Sequence, residues 1–313
     1  MAELTTSIPI LFRMPCYRLQ VAPPYWNDWF MVSGTRGEAS KMNLDEIGPW
    51  SEIKLDILRD YAAPYSRILK SNGFHHGYID AFSGPGLHIR KAGGEEVLGS
   101  PLVALGVQPP FDEYHFIDLD GEKVDFLKGK VGNRPDVEFY TADSNQVMLK
   151  SVLPRFSYAK RTRALCVLDP YALTLDWRVV CAAGSSRAVE VFINFPVMQM
   201  NRNCKHEDVS RILPGELDVM DRFWGDRSWH SAMFRPSGQA NLFGGEELDK
   251  TENRDLVNAY CKRLKEIAGF GFVADPLAMR NSRQAIVYYL IFAGPNKTGW
   301  RIVQDIYRKY GSA

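Results

Sequence analysis

Residues 78–86 read YIDAFSGPG, and the interpretation of the whole chain starts from them. An apolar and aromatic run contains one acid, Asp80, and then breaks into the Ser-Gly-Pro-Gly sequence of residues 83–86. Aromatic and β-branched residues favour a strand, and two glycines with a proline end it. The break is either a plain turn or a place where the backbone passes close to a ligand, because glycine permits both.

Strand and helix patterns alternate on both sides of this stretch. Apolar residues at spacings of three and four predict a helix over residues 50–71, which Pro64 is expected to kink or split. A second helix is expected to begin at a cap formed by Ser100. Further strands are predicted at residues 114–120, 137–144, 163–172, 188–196 and 284–294. This alternation predicts an α/β fold with a mostly parallel central sheet and helices on both faces.

The composition fits an ordinary globular protein. The chain has 313 residues, is 45% hydrophobic and carries a formal net charge of +1, so any nucleic-acid surface must be a local patch. The cysteines are odd in number and do not form a C-x-x-C pair, which argues against a disulfide framework or a metal site. Without a signal peptide or a long apolar run, the sequence predicts a cytoplasmic protein with no membrane contact.

The pattern divides the chain into four segments. Residues 1–49 are expected to be an N-terminal extension packed through Trp26, Trp29 and Phe30. Residues 50–196 are predicted to form the first part of the α/β domain that binds the ligand. Residues 197–260 are polar, aromatic and irregular, and they predict an inserted recognition subdomain. Residues 261–313 return to the sheet and end in a helix.

Acids follow the predicted strands at the carboxyl ends, where open α/β sheets bind ligands. Asp118 and Asp120 follow the strand after the glycine turn, and they are expected to take ribose hydroxyls, with Asp118 as the more structural of the two. Asp143 follows the third strand and is suited to an adenine amino group. The fourth strand ends in Asp-Pro-Tyr, which would present a carboxylate, a carbonyl and an aromatic face to the reacting group.

The predicted site therefore has two parts. The cofactor-binding residues are predicted to be Asp80, Ser83, Gly84, Gly86, Asp118, Asp120 and Asp143. The catalytic residues are predicted to be Asp169, Pro170 and Tyr171. Ordinary interpretations stay open, because the glycines suit any strand-to-helix turn and Asp143 suits a helix cap. Asp80 is expected to bond loop amides or Lys54, and Lys54 is either above the pocket or solvated.

Taken in order, these motifs resemble the class I S-adenosylmethionine-dependent methyltransferases, and most of all the N6-adenine type. YIDAFSGPG, GSPLVAL, FIDLD, LDPYA and EVFINFP also resemble a narrower family, the three-Cys-motif partner proteins (TcmP). The likeness covers roughly residues 48–310. It implies a Rossmann-like methyltransferase fold, S-adenosylmethionine as cofactor, a bacterial or phage origin and a radical-SAM-like partner protein with three cysteines.

Two departures from the methyltransferase pattern keep other functions open. Pro85 removes an amide donor from the glycine turn, and Ala172 stands where the adenine-N6 pattern has a second proline. One alternative is a non-catalytic subunit that binds the cofactor or a nucleotide for the three-cysteine partner. Another is a nucleotide-processing enzyme in which Asp80 and Asp169 handle a metal.

The inserted segment contains DRFWGDRSWHSAMFR at residues 221–235, where arginines alternate with aromatic residues. Guanidinium groups pair with phosphates and aromatic rings stack on bases, so the sequence predicts an RNA or DNA substrate. The predicted substrate-binding residues are Arg222, Trp224, Arg227 and Trp229. The alternative is an aromatic subdomain core with solvated arginines. The leading prediction is methyl transfer to a nucleic-acid base nitrogen, with Asp169 orienting the acceptor and Tyr171 stacking on the base.

Overall fold

A computed structural model describes residues 44–204, 208–240 and 246–311 of the chain. These residues belong to the second of two structural units, Asn43–Ala313, and the first unit is Met1–Met42. Most of the predicted N-terminal extension, including its aromatic residues, therefore lies outside the described residues.

The strands follow the predicted alternation, with additional short strands that the sequence pattern missed. Their bounds are β1 Glu46–Ile47, β2 His75–Asp80, β3 Leu87–Arg90, β4 Glu96–Leu98, β5 Glu113–Asp118, β6 Val137–Thr141, β7 Thr162–Leu168, β8 Val189–Phe195, β9 Phe234–Ala240, β10 Glu246–Lys250, β11 Phe272–Val273, β12 Leu277–Arg280 and β13 Ile286–Gly294. The five longest predicted strands correspond to β5, β6, β7, β8 and β13.

The helices account for most of the remaining described chain. Their bounds are α1 Pro49–Ser71, α2 Ser100–Leu105, α3 Gly121–Val131, α4 Ser144–Val147, α5 Trp177–Ser186, α6 Val197–Asn203, α7 Pro214–Trp224, α8 Trp229–Met233, α9 Asn253–Glu266 and α10 Lys297–Gly311. α1 continues past Pro64 without splitting. The cap of α2 is Gly99 instead of Ser100, because Gly99 keeps the extended backbone of a cap and Ser100 is already helical. None of the described helices is long and apolar enough to cross a membrane.

The central sheet has the strand order β6-β5-β2-β7-β8-β13-β11, and β12 also pairs with β13. The strands from β6 to β8 are parallel, whereas β13 is antiparallel to its neighbours. From β2 the chain proceeds outward to β5 and β6, and it then returns to β7 on the other side of β2. This reversal is a topological switch point between β2 and β7, which is where open α/β sheets generally bind their ligands.

Helices cover both faces of this sheet. On each face, one hydrophobic cluster lies between the helices and the sheet. One cluster joins α1, α3 and α10 to the sheet through Tyr61, Leu127 and Val303. The other joins α5 and α9 through Val180 and Tyr260. The structure confirms the predicted α/β, Rossmann-like class, because the sheet is mostly parallel and is packed on both faces.

The glycine turn does not lead directly into a helix. A hairpin of β3 and β4 intervenes, and β1 pairs in parallel with β3. The amide of Gly99 donates to the carbonyl of Gly86 at 2.7 Å, which brings the chain back beside the turn before α2 begins. Short, half-exposed strands give little periodic signal, and the sequence pattern therefore missed this hairpin.

The segment predicted to be an insertion leaves the sheet after β8. It contains α6, α7, α8 and the β9–β10 hairpin, so it is more regular than its sequence pattern indicated. The predicted boundary between residues 260 and 261 falls within α9. This helix leads back to the sheet at β11.

Candidate functional site

The glycine turn lies at the switch point, directly after β2. Gly84 and Gly86 have φ values of +59° and +75°, which L side chains rarely adopt. A Cβ on Gly86 would lie 2.5 Å from the Leu127 side chain, whereas a Cβ on Gly84 would meet nothing within 4 Å. Gly86 is thus required for packing against α3, and Gly84 faces open space where a ligand could approach the backbone.

Asp118, at the end of β5, fixes this turn. Its carboxylate accepts from the amides of Gly84 at 2.8 Å and Asp120 at 2.9 Å, one on each oxygen. Asp118 therefore holds two loops together, in the structural role that the sequence favoured for it.

Asp120 and Asp143 are both exposed helix caps. Asp120 accepts from the amides of Glu122 and Lys123 with the same oxygen, Oδ1, which leaves Oδ2 without a hydrogen bond from the described residues. Asp143 accepts from the amide of Gln146 at 2.9 Å and caps α4. Capping and ligand binding are compatible at Asp120, because only one of its two oxygens is used.

Asp80, the last residue of β2, is fully buried. Its Oδ2 receives a long hydrogen bond from the Tyr78 hydroxyl at 3.3 Å, the Ser100 side chain and the Phe82 backbone lower its pKa, and its Oδ1 has no close hydrogen-bond partner among the described residues. Burial raises the pKa of Asp80 to about 6, against the lowering influence of Ser100. A buried carboxylate with an unused oxygen is costly unless a ligand completes its environment.

Two further buried polar atoms near the turn also lack a partner among the described residues, Ser83 Oγ and His88 Nδ1. Burial and the nearby Lys54 ammonium lower the pKa of His88, so its imidazole is neutral at pH 7. The Lys54 ammonium also lowers the pKa of Asp80, which places both groups in the same electrostatic environment. These atoms offer acceptors and donors at one edge of the sheet.

Asp169, the first residue after β7, is held from two sides. Lys54 of α1 donates to Oδ2, and the Asn194 amide donates to Oδ1 at 2.5 Å. Its side chain is 29% exposed. Burial raises the pKa of Asp169, but the Lys54 ammonium and the Asn194 amide outweigh burial and bring it below the ordinary value. Asp169 is therefore an ionised and oriented carboxylate at neutral pH.

The sequence interpretation left Lys54 undecided and missed Asn194. Asn194 carries a signal similar to that of Asp169, because it is a polar residue near the carboxyl end of a buried, largely apolar strand. Both residues line a cavity together with Asp169 and apolar side chains of α1, β8 and β13. Lys54 thus lies over the pocket, which was one of its two open interpretations.

Tyr171 is 69% exposed and lies near α3. Its hydroxyl donates to Asp45 at 3.3 Å, and the Lys123 ammonium lies 5.3 Å from its ring centre. Pro170 is buried, and Ala172 has a φ of +53°, so the chain turns sharply after the motif. Lys123 follows β5 and Tyr171 follows β7, so their contact spans the end of β2.

The predicted substrate-binding residues lie apart from the residues that line this cavity. Trp224 and Trp229 are 1% and 0% exposed, and their ring nitrogens donate to Ser228 and Asp221. Both rings belong to the hydrophobic core, so stacking on a base would require their removal from it. Arg222 and Arg227 are exposed, and Arg227 forms a bidentate ion pair with Asp221.

At the opposite edge of the sheet, Glu113, His115 and Glu138 come close enough to suit a metal ion. Arg155 lies between the two glutamates, at 2.7 Å from Glu113 and 3.0 Å from Glu138. A guanidinium already neutralises these carboxylates, which explains the cluster without a metal. Among the described residues Asp80 and Asp169 do not form such a group.

Comparison with known proteins finds likeness in structure only. No protein-family model matches the chain, and no curated protein matches it. A Legionella pneumophila protein of family DUF519 matches with a TM-score of 0.41 at 10% identity, over 82% of this chain and 92% of its own. The N-methyltransferase NodS from Bradyrhizobium japonicum, in complex with S-adenosylhomocysteine, matches with a TM-score of 0.36 at 11% identity, over 80% and 89%.

The plantazolicin methyltransferase BpumL, also in complex with S-adenosylhomocysteine, matches with a TM-score of 0.38 at 8% identity, over 79% of this chain and 86% of its own. At such values the assignment of the fold rests on the strand order of the central sheet. The chemistry of the site depends on its own residues.

Proposed function

We propose that this protein binds S-adenosylmethionine at the carboxyl edge of β2 and transfers its methyl group. The observation that carries this proposal is the set of buried, unpartnered polar atoms of Asp80, Ser83 and His88 beside the glycine turn. Their position at the switch point supports a ligand in the crevice, because buried polar groups otherwise find partners inside the protein.

The donors and acceptors of the edge match the groups of this cofactor. The free oxygen of Asp80 is suited to an ammonium group, and Oδ2 of Asp120 is suited to a ribose hydroxyl. Gly84 leaves space for a ligand beside the backbone, and Asp118 holds the turn in place. Leu119 is 74% exposed next to these acids, so it offers an apolar surface to an aromatic ring.

The cofactor would supply a methyl group that its sulfonium already activates, and the protein has to align the acceptor and exclude water. Asp169 is ionised and oriented by Lys54 and Asn194, and it lines a cavity with apolar walls. Tyr171 presents an exposed ring beside it. These residues would position an acceptor at the carboxyl end of β7.

A nucleic-acid base nitrogen is our proposed acceptor. The Asp-Pro-Tyr sequence and the two exposed arginines, Arg222 and Arg227, support it, whereas the buried Trp224 and Trp229 do not. A base within a duplex would have to be flipped out. The TcmP resemblance further suggests a radical-SAM-like partner with three cysteines, and that association belongs to the same proposal.

One observation favours the alternative of a non-catalytic binding subunit. Both oxygens of Asp169 are already occupied by Lys54 and Asn194, so the carboxylate is less free to contact an acceptor. In that case the crevice would bind the cofactor for the partner protein and no methyl group would be transferred.

Calorimetry with S-adenosylmethionine, S-adenosylhomocysteine and ATP tests the cofactor assignment. We expect heat of binding with the first two ligands, and no heat at millimolar concentration would refute the proposal. Transfer of tritium from labelled S-adenosylmethionine to total RNA or DNA then tests catalysis. Asp169→Ala should abolish transfer and leave cofactor affinity within a few-fold, because Asp169 faces the cavity of β7 and β8 instead of the glycine turn. Equal losses of binding and transfer would assign Asp169 to the cofactor or to folding.

A further inference from the structure

A groove runs along β12, an outermost strand of the central sheet. β12 pairs with β13, and no other described strand pairs with it. Residues 276–282 all line this β12 groove, which has a volume of about 500 Å³. In an antiparallel pair, alternate residues of an outermost strand direct their N–H and C=O groups away from the partner. β12 therefore presents backbone donors and acceptors along the groove.

One wall of the β12 groove, the arginine wall, is formed by Arg254 at the start of α9 and Arg280 at the end of β12. Each guanidinium donates to one backbone carbonyl, Arg254 to that of Pro276 at 2.9 Å and Arg280 to that of Gln284 at 2.8 Å. Neither forms an ion pair with a described carboxylate, and none of the described residues that line the groove is acidic. Because a guanidinium has five N–H groups, most of them are available to an anion.

The two arginines act on the same face of the sheet. Burial raises the pKa of the Tyr289 hydroxyl, and Arg254 and Arg280 both lower it. Tyr289 belongs to the hydrophobic cluster that α5 and α9 share. Glu252 also acts on Tyr289, but it does not line the groove. The positive charge of the groove is therefore concentrated on the α9 side.

The other wall, the aromatic wall, is formed by Trp50 and Ile53 of α1 and Tyr310 of α10. All three pack against the hydrophobic cluster on the opposite face of the sheet. The Tyr288 hydroxyl donates to the Trp50 carbonyl at 3.4 Å, which joins the start of α1 to β13. The β12 groove thus has a basic wall on one face of the sheet and an apolar wall on the other.

An extended peptide matches the floor and both walls of the groove. Its backbone supplies donors and acceptors at the spacing of a strand, and its side chains alternate between the two faces. Nucleic acid would pair phosphates with the arginines, but it has no regular row of donors for the carbonyls of β12. A second copy of this chain would bring arginines against arginines. The charge of the groove therefore favours an acidic peptide over both.

We propose that an extended segment of a partner protein adds to β12 as a further strand, with acidic side chains on the arginine wall and apolar side chains on the aromatic wall. This inference goes beyond the proposed function, because it requires neither the cofactor nor a methyl acceptor. Leu277 lines the groove and pairs with Leu290, which lines the cavity beside Asp169. Only β12 would separate the bound segment from the strand that borders that cavity.

The probe is the peptide acetyl-Glu-Val-Glu-Val-Glu-Val-amide, and the same peptide with lysine in place of glutamate is its matched control. Fluorescence anisotropy of dye-labelled peptides measures the affinity for the full chain, and backbone amide NMR signals of isotope-labelled protein locate the site. We expect the acidic peptide to bind about tenfold more tightly than the basic one and to shift the signals of β12.

Methylated peptides test the backbone pairing without any change to the protein. Methylation of the valine nitrogens and methylation of the glutamate nitrogens give two alternating patterns, and only one set of nitrogens can face β12. We expect one pattern to abolish binding and the other to preserve it. Equal effects of the two patterns would overturn the proposal, because a peptide held by its charges alone would not distinguish them.

Variants test the arginine wall. Arg254→Ala and Arg280→Ala should each weaken binding of the acidic peptide by about two- to fivefold, as loss of an exposed ion pair would. The control is Arg301→Ala, an exposed arginine of α10 that does not line the groove and whose loss should leave the affinity unchanged. Melting curves establish that each variant is folded. No binding at millimolar peptide, equal affinity of the acidic and basic peptides, or unchanged affinity in both folded groove variants would each overturn the proposal.

Other occupants of the β12 groove give different results. If a single-stranded oligonucleotide shifts the β12 signals and the acidic peptide does not, the groove binds nucleic acid. If the β12 signals shift when the protein alone is diluted, the groove is an interface between copies of this chain. Either result would overturn the proposal. The test uses no cofactor, so its outcome is independent of whether S-adenosylmethionine binds.

Discussion

The two edges of the central sheet carry polar clusters of opposite character. At the amino edge, Glu113 accepts from His75 at 2.8 Å, His115 at 3.0 Å and Arg155 at 2.7 Å. At the carboxyl edge, Asp80, Ser83, His88 and Asn194 each contain a buried polar atom without a partner among the described residues. Titratable groups are close together at both edges, but the Glu113 cluster forms a closed network, whereas the four atoms at the carboxyl edge do not.

This difference shows how a structural cluster is told from a candidate site. A satisfied network stabilises the fold and offers no free donor or acceptor to a ligand. Unsatisfied buried groups destabilise the protein without a ligand, and a ligand that pairs with them removes this cost. The pKa values follow the same division. Hydrogen bonds from His115 and His75 bring the pKa of Glu113 to about 2 although burial opposes them, and burial raises that of Asp80 to about 6.

Breaking the closed network should give the largest effect. Glu113→Ala leaves the buried His115 without its carboxylate and Arg155 with Glu138 alone, which should lower the free energy of unfolding by about 3–5 kcal/mol. Urea denaturation measures this loss. Calorimetry should find the affinity for S-adenosylhomocysteine unchanged, because the cluster lies at the edge away from the glycine turn. A weakened affinity in folded protein would show that the two edges are coupled.

The contributions of Asp80 and Glu113 to the free energy of unfolding are expected to change with pH in opposite directions. The pKa of Asp80 rises from 3.8 to about 6, so its contribution to stability is complete below pH 3.8 and is lost as pH rises through 6. As the pH rises from acid to mildly alkaline values, the free energy of unfolding of Asp80→Asn should therefore increase by about 3 kcal/mol relative to that of the wild type. The same variant should bind S-adenosylmethionine more weakly, because it lacks the carboxylate that is proposed to pair with the ligand.

Glu113 provides the opposite case. Its pKa falls from 4.5 to about 2, so its contribution is complete above pH 4.5 and is lost as pH falls through 2. The stability difference between the wild type and Glu113→Gln should shrink over that range. Unfolding curves at a series of pH values measure the stability of Asp80→Asn and Glu113→Gln relative to the wild type. If both differences changed with pH in the same direction, the opposite pKa shifts of Asp80 and Glu113 would be contradicted.

A smaller effect is expected where the carboxyl edge meets solvent. Asp120→Ala should weaken S-adenosylmethionine binding by about ten- to a hundredfold, as loss of a charge-assisted hydrogen bond to a hydroxyl would. It should also cost about 1 kcal/mol of stability, because Asp120 caps α3. Asp176→Ala removes the cap of α5, is not a predicted cofactor-binding residue, and is the variant that measures the loss of a cap. A loss of affinity no larger than that in Asp176→Ala would remove Asp120 from the site.

The smallest effect is expected in the inserted segment. Replacing Arg222 and Arg227 with alanine should weaken RNA or DNA binding uniformly across sequences and flatten its salt dependence, because each lost phosphate contact removes counterion release. Arg59→Ala, an exposed arginine of α1, is the control. Titrations at several salt concentrations measure the slope, and unchanged affinity at low salt would favour a protein partner over nucleic acid.

The sequence by itself determined the central strands, the turn after β2 and the acids that follow the strands. These features are local, because each strand is rich in aromatic and β-branched residues and is followed by an acid, a proline or a glycine turn. Because parallel strands end at one edge, the sequence also predicted that Asp80, Asp118 and Asp169 face the same crevice. Residues 1–43 lie outside the described part of the chain, so their predicted packing stays a prediction.

Only the tertiary structure decided which polar groups have partners. Lys54 and Asp169 are 115 residues apart, and Asp169 and Asn194 are 25 apart, so no local pattern links them. Tertiary packing also placed Trp224 and Trp229 in the core, although an alternation of aromatic and basic residues is equally typical of a binding surface. Burial and hydrogen-bond satisfaction are properties of the assembled fold, and they decided here which residues support the structure and which are left for a ligand.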